Sequence, residues 1–223
     1  MIRKDTLEFL SQLKKNNNRE WFAENKVWYE RAKADFEELV KSIVSIFPTI
    51  DPEIGLLDPK KCIFRIYRDI RFSADKTPYK THLGAGFRSP GLHKSSAYYL
   101  HIDPDGCFMS CGHYMLDSAQ LKKVRRGISD DFDYFKSIID EPTFKSEIGD
   151  LVRDDDALKG VPKGFEPDNE AAQYLKLKRF YVQRAIPYDM VTTDLLLPYV
   201  ASTFETMQPL SRFLNDVLLE DLL

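Results

Sequence analysis

Residues 98–113 read YYLHIDPDGCFMSCGH, which is the pattern of two short strands joined by a tight turn. The turn, Asp103-Pro104-Asp105-Gly106, has proline at its second position and ends on a glycine that can adopt a positive φ. A type I turn of this kind is followed by a bulge at the glycine. We therefore predict a hairpin in which Asp103 faces Cys107 across the turn.

This register assigns the side chains of the hairpin to two faces of a sheet. One face, which we assign to the core, carries Tyr98, Leu100, Ile102 and Phe108. The opposite face carries Tyr99, His101, Met109, Cys111 and His113.

Three residues on the second face, His101, Cys111 and His113, are of types that bind zinc or copper. Such a site needs three or four ligands at about 2.0–2.3 Å from the ion. The chain has neither a pair of C-x-x-C motifs nor an H-E-x-x-H motif. We expect these three to be ordinary sheet residues, and we predict no metal site and no cofactor.

The segments around the hairpin predict an α+β protein. Further strands are expected at Ile63–Arg68, at His82–Arg88 and at Tyr174–Ile186, the last with a bend near Lys178-Arg179. An amphipathic helix is expected from about Asn18 to Phe47, with Asn18 as its cap and with Trp21, Phe36 and Ile43 buried. Shorter helices are expected over 118–127, 130–140, 188–206 and 209–222. We predict a mostly antiparallel sheet with a central hairpin, flanked by N-terminal, middle and C-terminal helices, in one domain over residues 1–223.

Composition excludes several classes of protein. The 223 residues are 43% hydrophobic and 30% charged, with a net charge of -3, which is typical of a globular chain. No apolar run approaches the roughly 20 residues that span a bilayer, and no signal-peptide core follows the basic start. The 3 cysteines do not suggest a disulfide framework. We expect a cytoplasmic protein that is not bound to a membrane.

Lys60 to His82 is strongly basic although the whole chain is slightly acidic. Arginine forks bind phosphate or carboxylate through two hydrogen bonds, and lysine adds a mobile charge. The segment therefore predicts an anion-binding loop whose residues are Arg65, Arg68, Asp69, Arg71, Lys76, Lys80 and His82. We expect Asp69 to hold one of the two guanidiniums beside it and to leave the other free for ligand. The alternative is that Arg68 and Arg71 pair with nearby acids and only hold the loop in shape.

A second basic stretch contains Lys163, Lys176 and Lys178. These lysines could converge on the first loop if the strand that follows Leu175 joins the same sheet. The alternative is an exposed lysine edge that prevents strand pairing with other molecules. Both interpretations stay open at this point.

Five stretches carry a resemblance to a known family: residues 16–22 (NNNREWF), 65–82 (RIYRDIRFSADKTPYKTH), 98–104 (YYLHIDP), 162–165 (PKGF) and 174–178 (YLKLK). Together they resemble the uncharacterised, mainly bacterial domain-of-unknown-function family numbered 2461. The resemblance covers nearly the whole chain and implies a fold and a cytoplasmic location, but no reaction. One departure is residues 110–113, SCGH, which stand where a glycine-rich stretch is expected.

These patterns favour a protein that binds a phosphorylated or carboxylated small molecule through the basic loop. The alternative is a non-catalytic interaction or nucleic-acid-binding module that uses the same cations, with Tyr67, Phe72 and Tyr79 available for stacking. Nucleic acid is the less favoured partner because the net charge is negative. No nucleophile or acid–base pair is indicated, so catalysis stays open, as do the ligand and the oligomeric state.

Overall fold

The computed structural model of the chain describes residues 1–54, 56–88 and 97–219. It contains a four-stranded antiparallel sheet in the order β1 (Leu83–Phe87), β2 (Ala97–Ile102), β3 (Cys107–His113) and β4 (Phe180–Ile186). The helices are, in chain order, α1 (Lys4–Lys15), α2 (Arg19–Glu24), α3 (Lys26–Ile50), α4 (Pro59–Cys62), α5 (Ser118–Asp130), α6 (Phe132–Ile139), α7 (Pro142–Glu147), α8 (Ala172–Leu175) and α9 (Leu196–Leu219), with a 3-10 turn at Pro52–Ile54. The predicted α+β class is confirmed.

The chain divides into two compact units. The first comprises Met1–Pro90, Tyr99–Met109 and Ala185–Ser202, and in it α1 and β1 both pack against α3. The second comprises Gly91–Tyr98, Ser110–Arg184 and Thr203–Leu223, and in it α5 packs against α6 and α8. Each unit has its own aromatic core: Phe9, Phe36, Phe47 and Phe87 are fully buried in the first, and Phe135, Phe144 and Phe180 in the second.

The hairpin exists, but its register differs from the predicted one by one residue. The N–H of Gly106 donates to the carbonyl of Asp103 at 3.1 Å, and Gly106 does not adopt a positive φ. The turn therefore lacks the predicted bulge. As a result Cys107, Met109, Cys111 and His113 lie on the buried face together with Tyr98, Leu100 and Ile102. Phe108 lies instead on the open face, beside Tyr99 and His101.

The predicted long helix is interrupted at Asn25, which separates α2 from α3. Asn18 caps α2 as predicted, because its side chain accepts a hydrogen bond from the N–H of Trp21 at 2.8 Å. Phe36 and Ile43 are fully buried, also as predicted. Trp21 is only half-buried, because α2 turns its neighbour Phe22 inward, and Trp21 stacks on Phe9 with ring centroids 6.1 Å apart.

Three other predicted elements differ from the structure. Residues 63–68 form only two isolated antiparallel bridges, Ile63 with Ala85 and Tyr67 with Tyr79. The expected strand from Tyr174 begins only at Phe180, because the preceding residues form α8 and bury Tyr174 against Phe135. The two expected C-terminal helices are one helix, α9, with Pro209 inside it, and residues 220–222 lie outside the described part. None of the described helices is long and apolar enough to cross a membrane.

Replacing Phe36 by alanine is expected to lower the free energy of unfolding by about 3–5 kcal/mol, because the ring is fully buried in the first unit. Denaturant unfolding monitored by circular dichroism measures this loss. Phe72→Ala removes the same side chain at a position that is 95% exposed, and it should cost at most about 0.5 kcal/mol. Equal losses in the two variants would contradict the assignment of Phe36 to the core.

Gly112→Ala is expected to destabilise the fold by about 2–5 kcal/mol. Gly112 has a φ of +128°, and a Cβ there would lie 2.2 Å from the carbonyl oxygen of Phe180, a backbone atom that cannot move aside. The matched control is Gly106→Ala, where an added Cβ meets nothing within 4 Å. That variant should stay within about 1 kcal/mol of wild type in the same denaturant experiment.

Candidate functional site

The basic segment runs antiparallel beside β1 and then folds back on itself. The N–H of Phe64 donates to the carbonyl of Gly84 at 2.9 Å. Further along, the N–H of Arg68 donates to Pro78 at 2.9 Å, and that of Lys80 donates to Ile66 at 2.8 Å. These bonds close a loop over residues 68–78, which we call the basic loop. Because of this fold, the predicted anion-binding residues do not all lie at one site.

Arg68 and Arg71 each bind an aspartate within the basic loop. The Arg68 guanidinium contacts the carboxylate of Asp75 and the hydroxyl of Thr77, and its side chain is only 25% exposed. Arg71 binds Asp69 through two hydrogen bonds, of 3.0 Å and 2.7 Å. Asp69 was expected to hold one guanidinium and leave the other free, but Asp75 holds the second. Ion pairing inside the loop, the alternative interpretation, describes these two residues.

The two aspartates titrate at lower pH than isolated carboxylates. The hydrogen bonds from Arg71, first from its side chain and then from its backbone, lower the pKa of Asp69. The backbone N–H of Thr77 and then the guanidinium of Arg68 lower the pKa of Asp75 to about 2. Both aspartates are therefore ionised over the physiological range and balance the arginines beside them.

Lys76 lies apart from the other predicted residues. Its ammonium donates to the carbonyl of Ile70 at 2.9 Å. It lines a shallow, open depression together with Arg19, and two acids, Glu20 and Asp75, line the same depression. The cations there are balanced by carboxylates, so this depression offers little net attraction for an anion.

Arg65, Lys80 and His82 form a different group, which we call the cationic cluster. Among the residues that the structure describes, no carboxylate lies within 4 Å of the charged groups of Arg65 or Lys80. Lys80 is half-buried, and its ammonium lies 5.5 Å from the centre of the Phe64 ring. Burial, and then repulsion from Arg65, lowers the pKa of Lys80 from its ordinary value.

Two glycines of β1 make room for the aromatic rings beside this cluster. A Cβ on Gly84 would lie 2.6 Å from the hydroxyl of Tyr99, and one on Gly86 would lie 3.2 Å from the ring of Phe64. The two rings also contact each other, with centroids 5.9 Å apart. The open face of β1 and β2 is thus covered by flat rings rather than by aliphatic side chains.

His82, His101 and Asp103 meet at the end of this face, and we call them the histidine cluster. One potential ligand atom from each residue lies within 4.8 Å of the other two. The rings of His82 and His101 have centroids 4.3 Å apart, and Nε2 of His101 lies 3.8 Å from Oδ2 of Asp103. All three residues are half-buried.

The His101 ring is held in place from two sides. Its Nδ1 is hydrogen-bonded to the hydroxyl of Tyr99 at 2.9 Å, and its face stacks on Phe108 with centroids 4.4 Å apart. Burial, and then the neighbouring His82 ring, lowers the pKa of His101 to about 4. Burial and then the charge of Lys80 lower the pKa of His82, with Asp103 acting in the opposite direction. Both imidazoles are therefore neutral at physiological pH.

The remaining predicted residues belong to other parts of the chain. Lys163, Lys176 and Lys178 all belong to the second unit, where Lys178 lies 3.8 Å from a carboxylate oxygen of Asp156. The metal candidate made of His101, Cys111 and His113 does not form, because His101 is on the open face of the hairpin and the other two are on the buried face. The three cysteines are buried and form no disulfide with one another.

The contacts of Tyr99 and Asp103 with His101 were not predicted from the sequence, in which His101 was grouped with Cys111 and His113. The signal was available in part: His101 and Asp103 are two residues apart and so point to the same side of an extended chain. Their proximity to His82 depends on the pairing of β1 with β2, which no local pattern reveals.

A family model described as "Conserved hypothetical protein (DUF2461)" matches residues 5–213. The chain belongs to this family. The match includes the basic loop, the cationic cluster and the histidine cluster, and it confirms the resemblance seen in the sequence. Comparison with curated proteins and comparison with solved structures gave no match. The family description names no reaction and no ligand, so function has to be argued from the geometry.

Arg68→Ala is expected to lower the melting temperature by at least about 3 °C, because it removes charge-assisted hydrogen bonds from a mostly buried guanidinium. Arg71→Ala removes an equal charge from a side chain that is 76% exposed, so its melting temperature should stay close to that of wild type. Differential scanning calorimetry of the two variants measures the contrast. A larger fall for Arg71→Ala than for Arg68→Ala would contradict the roles described for them.

Proposed function

We propose that this protein binds a phosphorylated or carboxylated small molecule at the cationic cluster of Arg65, Lys80 and His82. The observation that supports the proposal is an imbalance of charge. Arg68 and Arg71 each pair with an aspartate, whereas no described carboxylate lies within 4 Å of the charged groups of Arg65 or Lys80, although Arg65 acts on Asp69 from farther away. The chain has a net charge of -3, so the two cations are not explained by a general excess of basic residues.

The two charged members of the cluster, Arg65 and Lys80, repel each other. Lys80 experiences the charge of Arg65, and His82 experiences the charge of Lys80. Holding the exposed guanidinium of Arg65 near the half-buried ammonium of Lys80 costs free energy that an anion between them would offset. The expected ligand therefore carries at least one negative group, small enough to contact two or three side chains.

Each member of the cluster can supply a different contact. Arg65 offers a planar fork for two oxygens of a phosphate or carboxylate. Lys80 offers a point charge whose position is restricted by the Phe64 ring. His82, neutral at physiological pH, offers one N–H donor. A planar group of the ligand could pack against the neighbouring rings of Phe64 and Tyr99.

A second candidate is an interaction or single-stranded nucleic-acid-binding module, and one observation favours it. Phe72, in the basic loop, is 95% exposed, and the Arg71 guanidinium lies 5.8 Å from the centre of its ring. Exposed aromatic rings beside cations are used to stack on unpaired bases. The small-anion proposal is preferred because the unmatched charges lie in the cationic cluster and not beside Phe72. For either candidate we propose a cytoplasmic location.

The test uses the whole chain in EDTA, with inorganic phosphate, pyrophosphate, ATP and succinate as probes in thermal-shift and calorimetric titrations. At least one of these anions should raise the melting temperature of wild type. Arg65→Gln and Lys80→Gln should each weaken its binding about ten- to a hundredfold, because each removes charge-assisted hydrogen bonds.

Arg71→Gln is the matched control, since it also removes one positive charge but from a residue already bound to Asp69. It should leave the affinity for the anion nearly unchanged. The proposal fails if none of the anions binds wild type, or if all three variants lose affinity equally. Binding of an oligonucleotide that is abolished by Phe72→Ala, without binding of small anions, would support the second candidate instead.

A further inference from the structure

We propose that the histidine cluster, His82, His101 and Asp103, binds a divalent first-row transition-metal ion. Two imidazole nitrogens and one carboxylate oxygen are a ligand set used by zinc and by non-haem iron. This departs from the expectation drawn from the sequence, in which His101 was grouped with Cys111 and His113. The inference does not rest on the anion proposal, because the metal could bind without it.

The distances are compatible with a metal after small side-chain movements. Ligands at about 2.0–2.2 Å from an ion lie roughly 3.0–3.6 Å from one another. The three candidate atoms already lie within 4.8 Å of one another, and the pair from His101 and Asp103 is at 3.8 Å. Rotation of the side chains of His82 and Asp103 by about 1 Å at their tips would complete the set.

The backbone brings the three residues together from adjacent strands. His101 is in β2, and Asp103 follows it at the turn, on the same side of the chain. His82 immediately precedes β1, the neighbour of β2 in the sheet. A site held by a paired strand and a closed turn is restricted in its geometry before any ion arrives.

Tyr99 orients His101 as a metal-binding histidine is usually oriented. When Nδ1–H of His101 donates to the hydroxyl oxygen of Tyr99, the lone pair of Nε2 faces the cluster. Metal-bound histidines commonly use their other ring nitrogen in this way, and the partner fixes the ring. Stacking on Phe108 restricts the same ring further.

The two oxygens of the Asp103 carboxylate have different neighbours: one lies in the turn and the other in the histidine cluster. Oδ1 accepts the N–H of Asp105 at 2.9 Å and so stabilises the turn. Oδ2 faces His101, and among the described residues no donor reaches it within hydrogen-bond distance. The Asp103 side chain is only 14% exposed, so in the tautomer with the proton on Nδ1 the lone pair of Nε2 and the carboxylate oxygen face each other at 3.8 Å. A cation bound by both would relieve that repulsion.

With three ligands from the protein, the ion would keep at least one open position. Lys80 is two residues from His82, and an anion held by Lys80 and Arg65 could fill that position. The metal would then replace His82 as the contact to the anion. With or without the metal ion, the ligand expected at this site is an oxyanion.

The test measures metal binding by the whole, untagged chain after treatment with EDTA, in a buffer free of phosphate and carboxylates. Co²⁺ should bind at one equivalent and give visible d–d absorption that excess Zn²⁺ removes, whereas Mg²⁺ should not compete, because it prefers oxygen ligands. His101→Gln and Asp103→Asn should each weaken Co²⁺ binding by at least about tenfold, the smallest loss expected even for a supporting residue.

Asp105→Asn is the matched control, because it neutralises an acid of the same turn that pairs with Lys14 and is not a member of the histidine cluster. It should bind Co²⁺ as wild type does. The proposal is overturned if wild type shows no d–d absorption, or if Asp105→Asn loses as much affinity as Asp103→Asn.

A measurement on wild type alone keeps the test valid if a variant fails to fold. Zn²⁺ should shift the imidazole nitrogen resonances of His82 and His101 and leave those of the buried His113 in place. Unchanged resonances for His82 and His101 would overturn the proposal. Because the anion titrations are made in EDTA and the metal titrations without anions, either proposal can fail without the other.

Discussion

The hydrogen bond from the N–H of Gly106 to the carbonyl of Asp103 closes the β2–β3 hairpin and fixes which side chains of each strand face the interior. Because side chains alternate along a strand, a change of one residue at the turn exchanges the two faces of the strand that follows it. The tight turn buries Cys107, Met109 and Cys111 and leaves Phe108 on the open face. Phe108 there supports the ring of His101, and the turn itself positions the carboxylate of Asp103.

The open face of the first unit differs from an ordinary solvated sheet surface. Glycines at positions 84 and 86 of β1 let aromatic rings lie flat against the strand. The rings remove water from Lys80, His82 and His101, and this is why burial is the largest cause of the lowered pKa of each. The basic loop differs, because each of its two arginines is balanced by an aspartate. The same short segment thus contains cations in two different electrostatic environments.

Local patterns predicted a large part of this structure. The α+β class, the hairpin, the Asn18 cap and the burial of Phe36 all follow from spacing and residue type within a few neighbours. The register of β3 could not be predicted in this way, because it depends on whether Gly106 adopts a positive φ. The basic segment is visible in the sequence, but the division between its paired and unpaired cations depends on how the loop folds back toward Asp75. The proximity of His82 to His101 depends on the pairing of β1 with β2, which the neighbouring residues in the sequence do not predict.

β1 is the first strand in the sheet order, and Ile63 and Phe64 pair with Gly84 and Ala85 along the side of it that faces away from β2. A bare edge of this kind would offer free N–H and C=O groups to another molecule and promote self-association. The start of the segment that carries the cations therefore also covers part of this edge. It cannot swing away to admit a ligand without exposing that edge, so adaptation to a ligand must come from rotation of side chains such as Lys80 on a backbone that stays in place. The backbone that covers this edge thus also carries the side chains of the proposed anion site.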